Sequence, residues 1–314
     1  MPIKKNTVLV LGAGASAPYG LPLGQELVRR ILEDIETGGD RRAHAAQWTK
    51  IPYDTLTEIS TKLSLSRTDS VDDWLLKHPR LLDVGKVLIC HAINACEDSS
   101  YFSHTANPTR HDRWLHWLWN RMKDGLTRVD QLREQNDLAI ITFNYDRMPE
   151  HFLFEAAANS FDCSKEQAAK AIRQFEFVHI HGQSGFLEWD KPNATDVSNP
   201  YKAKSGTEGA WELAARCAKS IRIVSEQNPS QTIVRARELL ALSRQTFLLG
   251  MGYHASNLKK LAFGGDARCD IRGTFLGAPR SKDAIADSAK NGLGRPIVLE
   301  EMDCSKILNT FFVD

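Results

Sequence analysis

The chain has 314 residues and a formal net charge of +1, with 42% hydrophobic and 25% charged residues. This length suffices for a sizeable core in one large domain or two modest ones. The balanced charge argues against a general nucleic-acid-binding surface, and pairs such as Arg29-Arg30 are interpreted as solvated helix faces. No apolar run approaches the roughly 18 residues of a membrane span.

The cysteines are scattered along the chain and form no C-x-x-C pair. This pattern favours reduced thiols over a disulfide framework or a zinc site. The basic N-terminus is followed by an apolar run that is too short for a signal peptide. We therefore expect a cytoplasmic protein without direct membrane contact.

The first predicted element is a buried strand at residues 7–11, followed by the stretch "GAGAS" at Gly12 to Ser16. A strand that ends in glycines and leads into a helix is typical of dinucleotide binding, because the backbone can approach a diphosphate closely. The third glycine of the usual fingerprint is missing. A plain tight turn between strand and helix is therefore the alternative.

Helical patterns follow this loop. One helix, which Gly38 and Gly39 are expected to end, is predicted from the spacing of Leu23, Leu27, Ile31 and Ile35. Residues 40–135 then lack buried-strand patterns and contain leucine- and aromatic-rich helical segments, which predicts a helical insertion. The tryptophans of this range are assigned to the helical core, with an exposed interface as the alternative: Trp114, Trp117 and Trp119.

Strand patterns return in the second half of the chain. They occur in "LAIITFNYD" (138–146), "FEFVHIHG" (175–182), "QTFLLGMGYHASN" (245–257), "IRGTFLG" (271–277) and "RPIVLEE" (295–301), with helical patterns at 165–174 and 232–243. This alternation predicts an α/β, Rossmann-like, doubly wound fold with a mostly parallel sheet. We expect one domain over residues 1–314, with its core in 1–39 and 136–314 and a long polar loop at 183–209.

Four of these strands end in small or polar residues, and such ends share one crevice in an open parallel sheet. Asn144 and Asp146 alternate at one tip, so their side chains can point the same way. Together they could hold ribose hydroxyls, a carboxamide or a water molecule. The alternative is that they cap the helix expected to begin near Pro149.

Two histidines flank Ile180 at the next strand tip. No cysteine or carboxylate stands beside them at a ligand spacing, so no metal site is expected. His179 is interpreted as a hydrogen-bonded histidine of the sheet. His181, which precedes Gly182 at the strand end, is the candidate base near neutral pH.

Taken in order, "GAGAS…GLP", "TFNYD", "HIHG" and "GMGYHASN" resemble the motifs of the sirtuin-like NAD-cleaving family, in the bacterial branch of antiphage-defence effectors. The segment "DSVDDWLLKHP" at residues 69–79 is similar to an acidic-hydrophobic segment in the helical insertion of that branch. The resemblance extends from Val8 to about Glu300.

The resemblance implies an NAD+ hydrolase that takes NAD+ as its substrate and releases nicotinamide and ADP-ribose without a metal. It implies that Asn144 and His181 form the catalytic pair and that Asp146 lies near the nicotinamide. The remaining implied binding residues are those for the diphosphate, Gly12, Ala13, Gly14 and Ser16, and those near the adenosine half, Gly250, Gly252 and Asn257.

The chain departs from sirtuin deacylases in two respects. It has no zinc ribbon, and Pro22 is followed by Leu23 and Gly24 instead of an Asp-Phe-Arg-like element. Both departures argue against deacylation and leave NAD cleavage intact. The resemblance further implies restraint or activation by homo-oligomerisation or by a partner protein (an ATPase, a nuclease-like subunit or a sensor). The alternatives are a non-catalytic NAD or ADP-ribose sensor or scaffold, and a transferase of ADP-ribose or acyl groups.

Overall fold

The computed structural model describes residues 1–36, 39–102, 113–190, 193–202, 208–223, 231–262, 269–276 and 281–313. Within these residues the centre of the fold is one six-stranded sheet with the order β3-β2-β1-β4-β5-β6. Every neighbouring pair is parallel. The strands are β1 (Thr7–Leu11), β2 (Leu138–Thr142), β3 (Glu176–His179), β4 (Gln245–Leu249), β5 (Asp270–Thr274) and β6 (Val298–Glu300).

This order confirms the predicted α/β, Rossmann-like, doubly wound fold. The chain builds the sheet outward from β1 to β3, crosses back to lay β4 on the other side of β1, and continues outward to β6. The strand order therefore reverses between β1 and β4. Ligands of doubly wound sheets bind at such a switch point, outside the carboxyl ends of the strands.

The helices that the described residues form connect and cover these strands. They are α1 (Ala13–Ser16), α2 (Gly24–Glu36), α3 (Gly39–Thr49), α4 (Tyr53–Ser66), α5 (Val71–Leu76), α6 (Leu82–Asn94), α7 (Trp114–Lys123), α8 (Gln131–Gln135), α9 (Met148–Ser160), α10 (Lys165–Ile172), α11 (Glu208–Cys217), α12 (Gln231–Leu242), α13 (Ala255–Lys260), α14 (Lys282–Leu293) and α15 (Cys304–Phe311). None of them combines the length and apolar character that crossing a bilayer would require.

Two hydrophobic clusters lie on opposite faces of the sheet. On β1, Leu9 and Leu11 belong to the larger cluster, which includes residues of α2, α6, α7 and α9. The alternate residues Val8 and Val10 belong to the smaller cluster, which includes residues of α12, α13 and α14. Because both faces of β1 are covered, all five of its residues are buried. This burial explains the unbroken apolar run in the sequence.

The elements described between β1 and β2 are all helical. Trp114 joins this part of the chain to the sheet edge, since its indole Nε1 donates to the Ala15 carbonyl at 2.8 Å. Trp114 and Trp119 are buried, which agrees with the predicted helical core. Trp117 is only partly buried and donates to Asn309 Oδ1 at 3.3 Å.

Three boundaries differ from the prediction. Helix α2 ends at Glu36, and Gly39 begins α3 instead of ending α2; Gly38 lies outside the described residues. The acidic first turn of α3, with Asp40, favours that helix start electrostatically. Leu23 precedes α2 and is 50% exposed, so it does not share the buried face of that helix. The predicted loop at 183–209 ends earlier, because Gly209 already lies in α11.

Candidate functional site

The strand register brings the four motifs to one edge of the sheet. Leu11 pairs with Thr142 on one side and with Leu249 on the other, and Thr142 pairs with His179. The strands β3, β2, β1 and β4 therefore end in one row. The candidate residues that follow them leave the sheet at the same edge, beside the switch point between β1 and β4.

The glycine loop packs backbone against backbone on the end of β4. The Gly12 N–H donates to the Leu249 carbonyl at 2.9 Å, and the Gly14 N–H donates to the Gly250 carbonyl at 3.0 Å. A Cβ on Gly12 would lie 2.6 Å from the Gly250 oxygen, and a Cβ on Gly250 would lie 2.0 Å from the Ala15 nitrogen. The contact itself therefore requires these glycines, and two of their amide groups are used within the protein.

The side chains of Asn144 and Asp146 point the same way and meet at Ser16. Asn144 Nδ2 donates to the Gly12 carbonyl at 3.0 Å and to Ser16 Oγ at 2.9 Å. The Ser16 hydroxyl also lies close enough to the Asp146 carboxyl group to lower its pKa. Asp146 Oδ1 in addition accepts the Met148 N–H at 3.1 Å, at the first residue of α9. Asp146 therefore both supports a helix start and joins the polar group at the strand tips.

Asp146 is only 3% exposed, and this burial strongly affects the pKa of its carboxyl group. Removal of the carboxyl group from water raises the pKa of Asp146 to about 6, although the Met148 N–H lowers it. The carboxylates of Glu97 and Glu150 raise it further, and the Ser16 hydroxyl opposes them. A carboxyl group of this kind changes protonation near neutral pH, unlike an ordinary aspartate.

His179 forms a buried pair with Glu150, its Nε2 bonding to Glu150 Oε1. Burial favours the neutral imidazole, but the Glu150 carboxylate, the Asp146 carboxylate and the Asn144 carbonyl together outweigh it, and the pKa of His179 is raised. The ring also contacts the Asn144 carbonyl through Nδ1, at 3.4 Å. His179 is thus a hydrogen-bonded sheet histidine, as the sequence suggested.

His181 has different neighbours. It is 6% exposed, and its Nδ1 lies 3.3 Å from the Arg222 carbonyl oxygen. Its Nε2 lies 3.5 Å from the Nζ of Lys260, which also donates to Asn257 Oδ1 at 3.2 Å. The Asn257 side chain also lies close enough to His181 to raise its pKa. Asn257, which the resemblance places near the adenosine half of NAD, is therefore linked to the candidate base through Lys260.

Two charged residues of this site, Asp72 and Lys260, were not assigned from the sequence. Asp72, at the start of α5, accepts a hydrogen bond from the Tyr145 hydroxyl. The Tyr145 ring lies edge-on to the His181 ring at a centroid distance of 6.0 Å. Burial and the Asp72 carboxylate raise the pKa of Tyr145 well above its usual value, so the phenol stays neutral and donates. Asp72 lies in the acidic-hydrophobic segment at residues 69–79 that the sequence analysis singled out, whereas Lys260 lies in none of the quoted motifs.

The surroundings of His181 determine its charge. Burial lowers the pKa of His181, the Asp72 carboxylate raises it, and the Lys260 ammonium lowers it again. The net shift is downward, so the imidazole is neutral near pH 7. A neutral imidazole, which carries a lone pair on one ring nitrogen, is the form that a general base requires.

The described residues contain no group of three or more His, Cys, Asp or Glu side chains placed to hold a metal ion. All six cysteines are free thiols.

The fold and the strand-tip residues define a Rossmann-like α/β protein with a polar, partly titratable site at its switch point. The chain matches no family model, and no curated protein matches it.

Proposed function

We propose that this protein is an NAD+ hydrolase that cleaves the bond between nicotinamide and ribose. The observation that carries the proposal is the pairing of a glycine loop with an amide on the neighbouring strand tip: Asn144 Nδ2 contacts both Gly12 and Ser16. The histidine of the next strand tip, His181, packs against Phe143 and Tyr145, the residues on either side of that amide. The motif resemblance supplies the identity of the substrate.

The chemistry fits one base without an acid partner. The nicotinamide of NAD+ leaves as a neutral molecule, so its departure needs no proton, unlike the leaving group of an ordinary glycosidase. Water adds to the ribosyl carbon as the bond to the nicotinamide nitrogen breaks, and the water proton passes to His181. General base catalysis of this kind contributes about 10²- to 10⁴-fold in rate. ADP-ribose and nicotinamide are the products, and His181 returns the proton to solvent.

Asn144 is proposed to orient the attacking water or a ribose hydroxyl. Its Nδ2 group is held by Gly12 and Ser16. The amide oxygen Oδ1 is therefore the atom proposed to face the substrate. A side chain fixed by two bonds loses little conformational entropy when the substrate arrives, which favours precise positioning. The glycine loop is proposed to bind near the diphosphate, and Asp146 near the nicotinamide.

A second candidate function is a sensor that binds NAD+ or ADP-ribose without turnover. The observation that favours it is the burial of His181, which is 6% exposed and has a protein partner at each ring nitrogen. The same burial suits an antiphage-defence effector that stays inactive until a partner protein or self-assembly opens its site. The two candidates differ in turnover, which an assay can measure.

The test is nicotinamide release from NAD+ by the purified chain over a range of protein concentrations. We expect the wild type to release nicotinamide and His181→Ala and Asn144→Ala to release none. Circular dichroism is expected to show that both variants remain folded. His44→Ala on α3 and Asn159→Ala on α9 are matched controls, because both side chains are exposed and lie outside the site. These controls are expected to keep wild-type activity.

Each result separates the candidates. Turnover that survives in His181→Ala contradicts the assignment of the base. The sensor is favoured if NAD+ binds but no nicotinamide is released at any protein concentration. The same holds if none is released in any assembly formed with co-expressed partner proteins. Label transferred from NAD+ to protein would instead indicate an ADP-ribosyltransferase.

A further inference from the structure

We propose that Lys260 is a positioning residue that keeps His181 neutral, with its ring proton on Nδ1 and its lone pair on Nε2. The proposal deepens the proposed function, since it rests on His181 acting as the base. Lys260 lies at the end of α13, is 5% exposed, and has its ammonium group 3.5 Å from His181 Nε2. Lysine side chains are rarely buried in proteins unless they have a polar partner.

The two contacts of the His181 ring determine its tautomer. The Arg222 carbonyl oxygen, 3.3 Å from Nδ1, can only accept, so Nδ1 carries the proton. The Lys260 ammonium can only donate, so Nε2 carries the lone pair. The separation of 3.5 Å between Nζ and Nε2 exceeds that of an ordinary hydrogen bond. The Nε2 lone pair therefore faces the Lys260 ammonium across a long contact, and a water molecule that passes its proton to Nε2 must replace that contact.

The position of Lys260 is maintained from outside the site. Arg237 on α12 donates through Nε to the Lys260 carbonyl at 2.9 Å and through Nη2 to the Lys259 carbonyl at 3.1 Å. On the inner side, Lys260 Nζ donates to Asn257 Oδ1 at 3.2 Å. The last turn of α13 is thus held at its backbone and at the lysine side chain.

The charged and titratable groups that act on His181 come from three directions. Asp72 on α5 presents a carboxylate, and Lys260 on α13 presents an ammonium group. Tyr145, beyond the end of β2, is a neutral phenol bonded to Asp72. The carboxylate favours the imidazolium and the ammonium opposes it, so the two charges act on His181 with opposite sign. Burial adds to the effect of Lys260.

The experiment measures the titration of His181 by NMR in protein labelled with ¹³C at histidine Cε1. The His181 signal is identified by its absence in His181→Asn. We expect Lys260→Met, which keeps the length of the side chain and removes its charge, to move the His181 midpoint to higher pH. Asp72→Asn is expected to move it to lower pH, and Lys260→Arg to restore the wild-type midpoint. Lys290→Met, an exposed lysine on α14, is the control.

Lys260→Gln serves as a second neutral variant if Lys260→Met does not fold. Unchanged His181 midpoints in the folded neutral variants would overturn the proposal, as would shifts of the same sign for Lys260→Met and Asp72→Asn. This readout does not depend on turnover, so it tests the role of Lys260 even if the protein is not an NADase. If nicotinamide is released, the acid limb of the pH–rate profile is expected to move to higher pH in Lys260→Met while the rate at high pH is retained.

Discussion

The two halves of the site differ in how they are built. On the β1–β4 side, the glycine loop and Gly250 meet backbone to backbone, and the amides of Gly12 and Gly14 donate to the carbonyls of Leu249 and Gly250. On the β2–β3 side, the strand tips present Asn144, Asp146 and His181. Asn144 and His181 hydrogen-bond groups of distant segments, and Asp146 is a buried carboxyl group. The β1–β4 side, which we call the packed half, is determined by close backbone packing. The β2–β3 side, which we call the polar half, is determined by buried polar groups.

This difference shows that a glycine-rich loop has a structural explanation of its own. A Cβ on Gly14 would lie 2.8 Å from Gly250 Cα, so the loop would need glycines even without a ligand. The polar half also contains a close backbone contact, since a Cβ on Gly182 would lie 2.0 Å from the Ser220 oxygen, but it differs in its buried titratable side chains. Buried titratable groups that cluster at a strand edge are typical of functional sites, because their desolvation is costly for folding.

The largest expected effect comes from breaking the packed half. Gly250→Ala places a Cβ 2.0 Å from the Ala15 nitrogen, in a residue with φ +60°. We expect the free energy of unfolding to fall by about 4 kcal/mol or more, as for other severe backbone clashes. Urea denaturation measures the change.

Gly125→Ala is the matched control for this change. Gly125 has φ +71° but nothing within 4 Å of the added Cβ, so only the left-handed conformation is penalised. Its expected cost is about 1 to 2 kcal/mol. Equal costs at the two positions would show that the contact between the glycine loop and β4 is looser than its geometry indicates.

The next effect concerns the ion pair that supports the polar half. Arg147 and Glu97 have side chains that are each 1% exposed, and Arg147 Nε donates to Glu97 Oε1 at 3.2 Å. We expect Glu97→Gln to destabilise the fold by about 3 kcal/mol, because it leaves the Arg147 charge buried without its counter-ion. Thermal and urea unfolding measure this loss.

The same substitution at the surface provides the control. Glu238 pairs with Arg235, and the two side chains are 55% and 44% exposed. Glu238→Gln is expected to change stability by less than about 0.5 kcal/mol. A small effect at Glu97 as well would mean that water reaches the Arg147 pair and that the polar half is less dry than its burial indicates.

The sequence predicted the strands and their ends because both faces of the parallel sheet are covered. Such strands appear as continuous apolar runs, and the residues that follow them must lie at one edge. Asn144, Asp146 and His181 were therefore identifiable as neighbours from sequence alone. The parallel orientation of the strands followed from the same βαβ pattern, since sequential parallel strands connect through helices, but their order in the sheet was not predicted.

The residues that complete the site were not predictable in the same way. Asp72 contacts a residue 73 positions away, and Lys260 contacts one 79 positions away. Each lies on a short helix where a charged side chain would ordinarily face solvent, so no local pattern indicates its contact with the site. The role of Gly250 was also hidden, because its positive φ and its contact with the glycine loop depend on how β4 lies beside β1.

The smallest expected effect tests whether the polar half has been selected for stability. Burial raises the pKa of Asp146 to about 6, whereas an unfolded aspartate titrates near 4. The native state therefore holds this proton to higher pH than the unfolded chain does. The stabilisation is present below about pH 4 and is lost as the pH rises through about 6.

Asp146→Asn removes this titration and can still accept the Met148 N–H. Relative to the wild type, we expect the variant to gain roughly 2 kcal/mol of stability between about pH 4.5 and about pH 7.5. Urea unfolding at the two pH values measures the gain, and Asp287→Asn, at an exposed position on α14, is expected to show none. A gain at neutral pH together with lost NAD+ cleavage would mean that the carboxylate is retained for the reaction at the expense of the fold. If the difference in unfolding free energy between the variant and the wild type is the same at both pH values, the Asp146 carboxyl group is solvated or its burial is offset by other groups. The polar half would then resemble an ordinary helix cap.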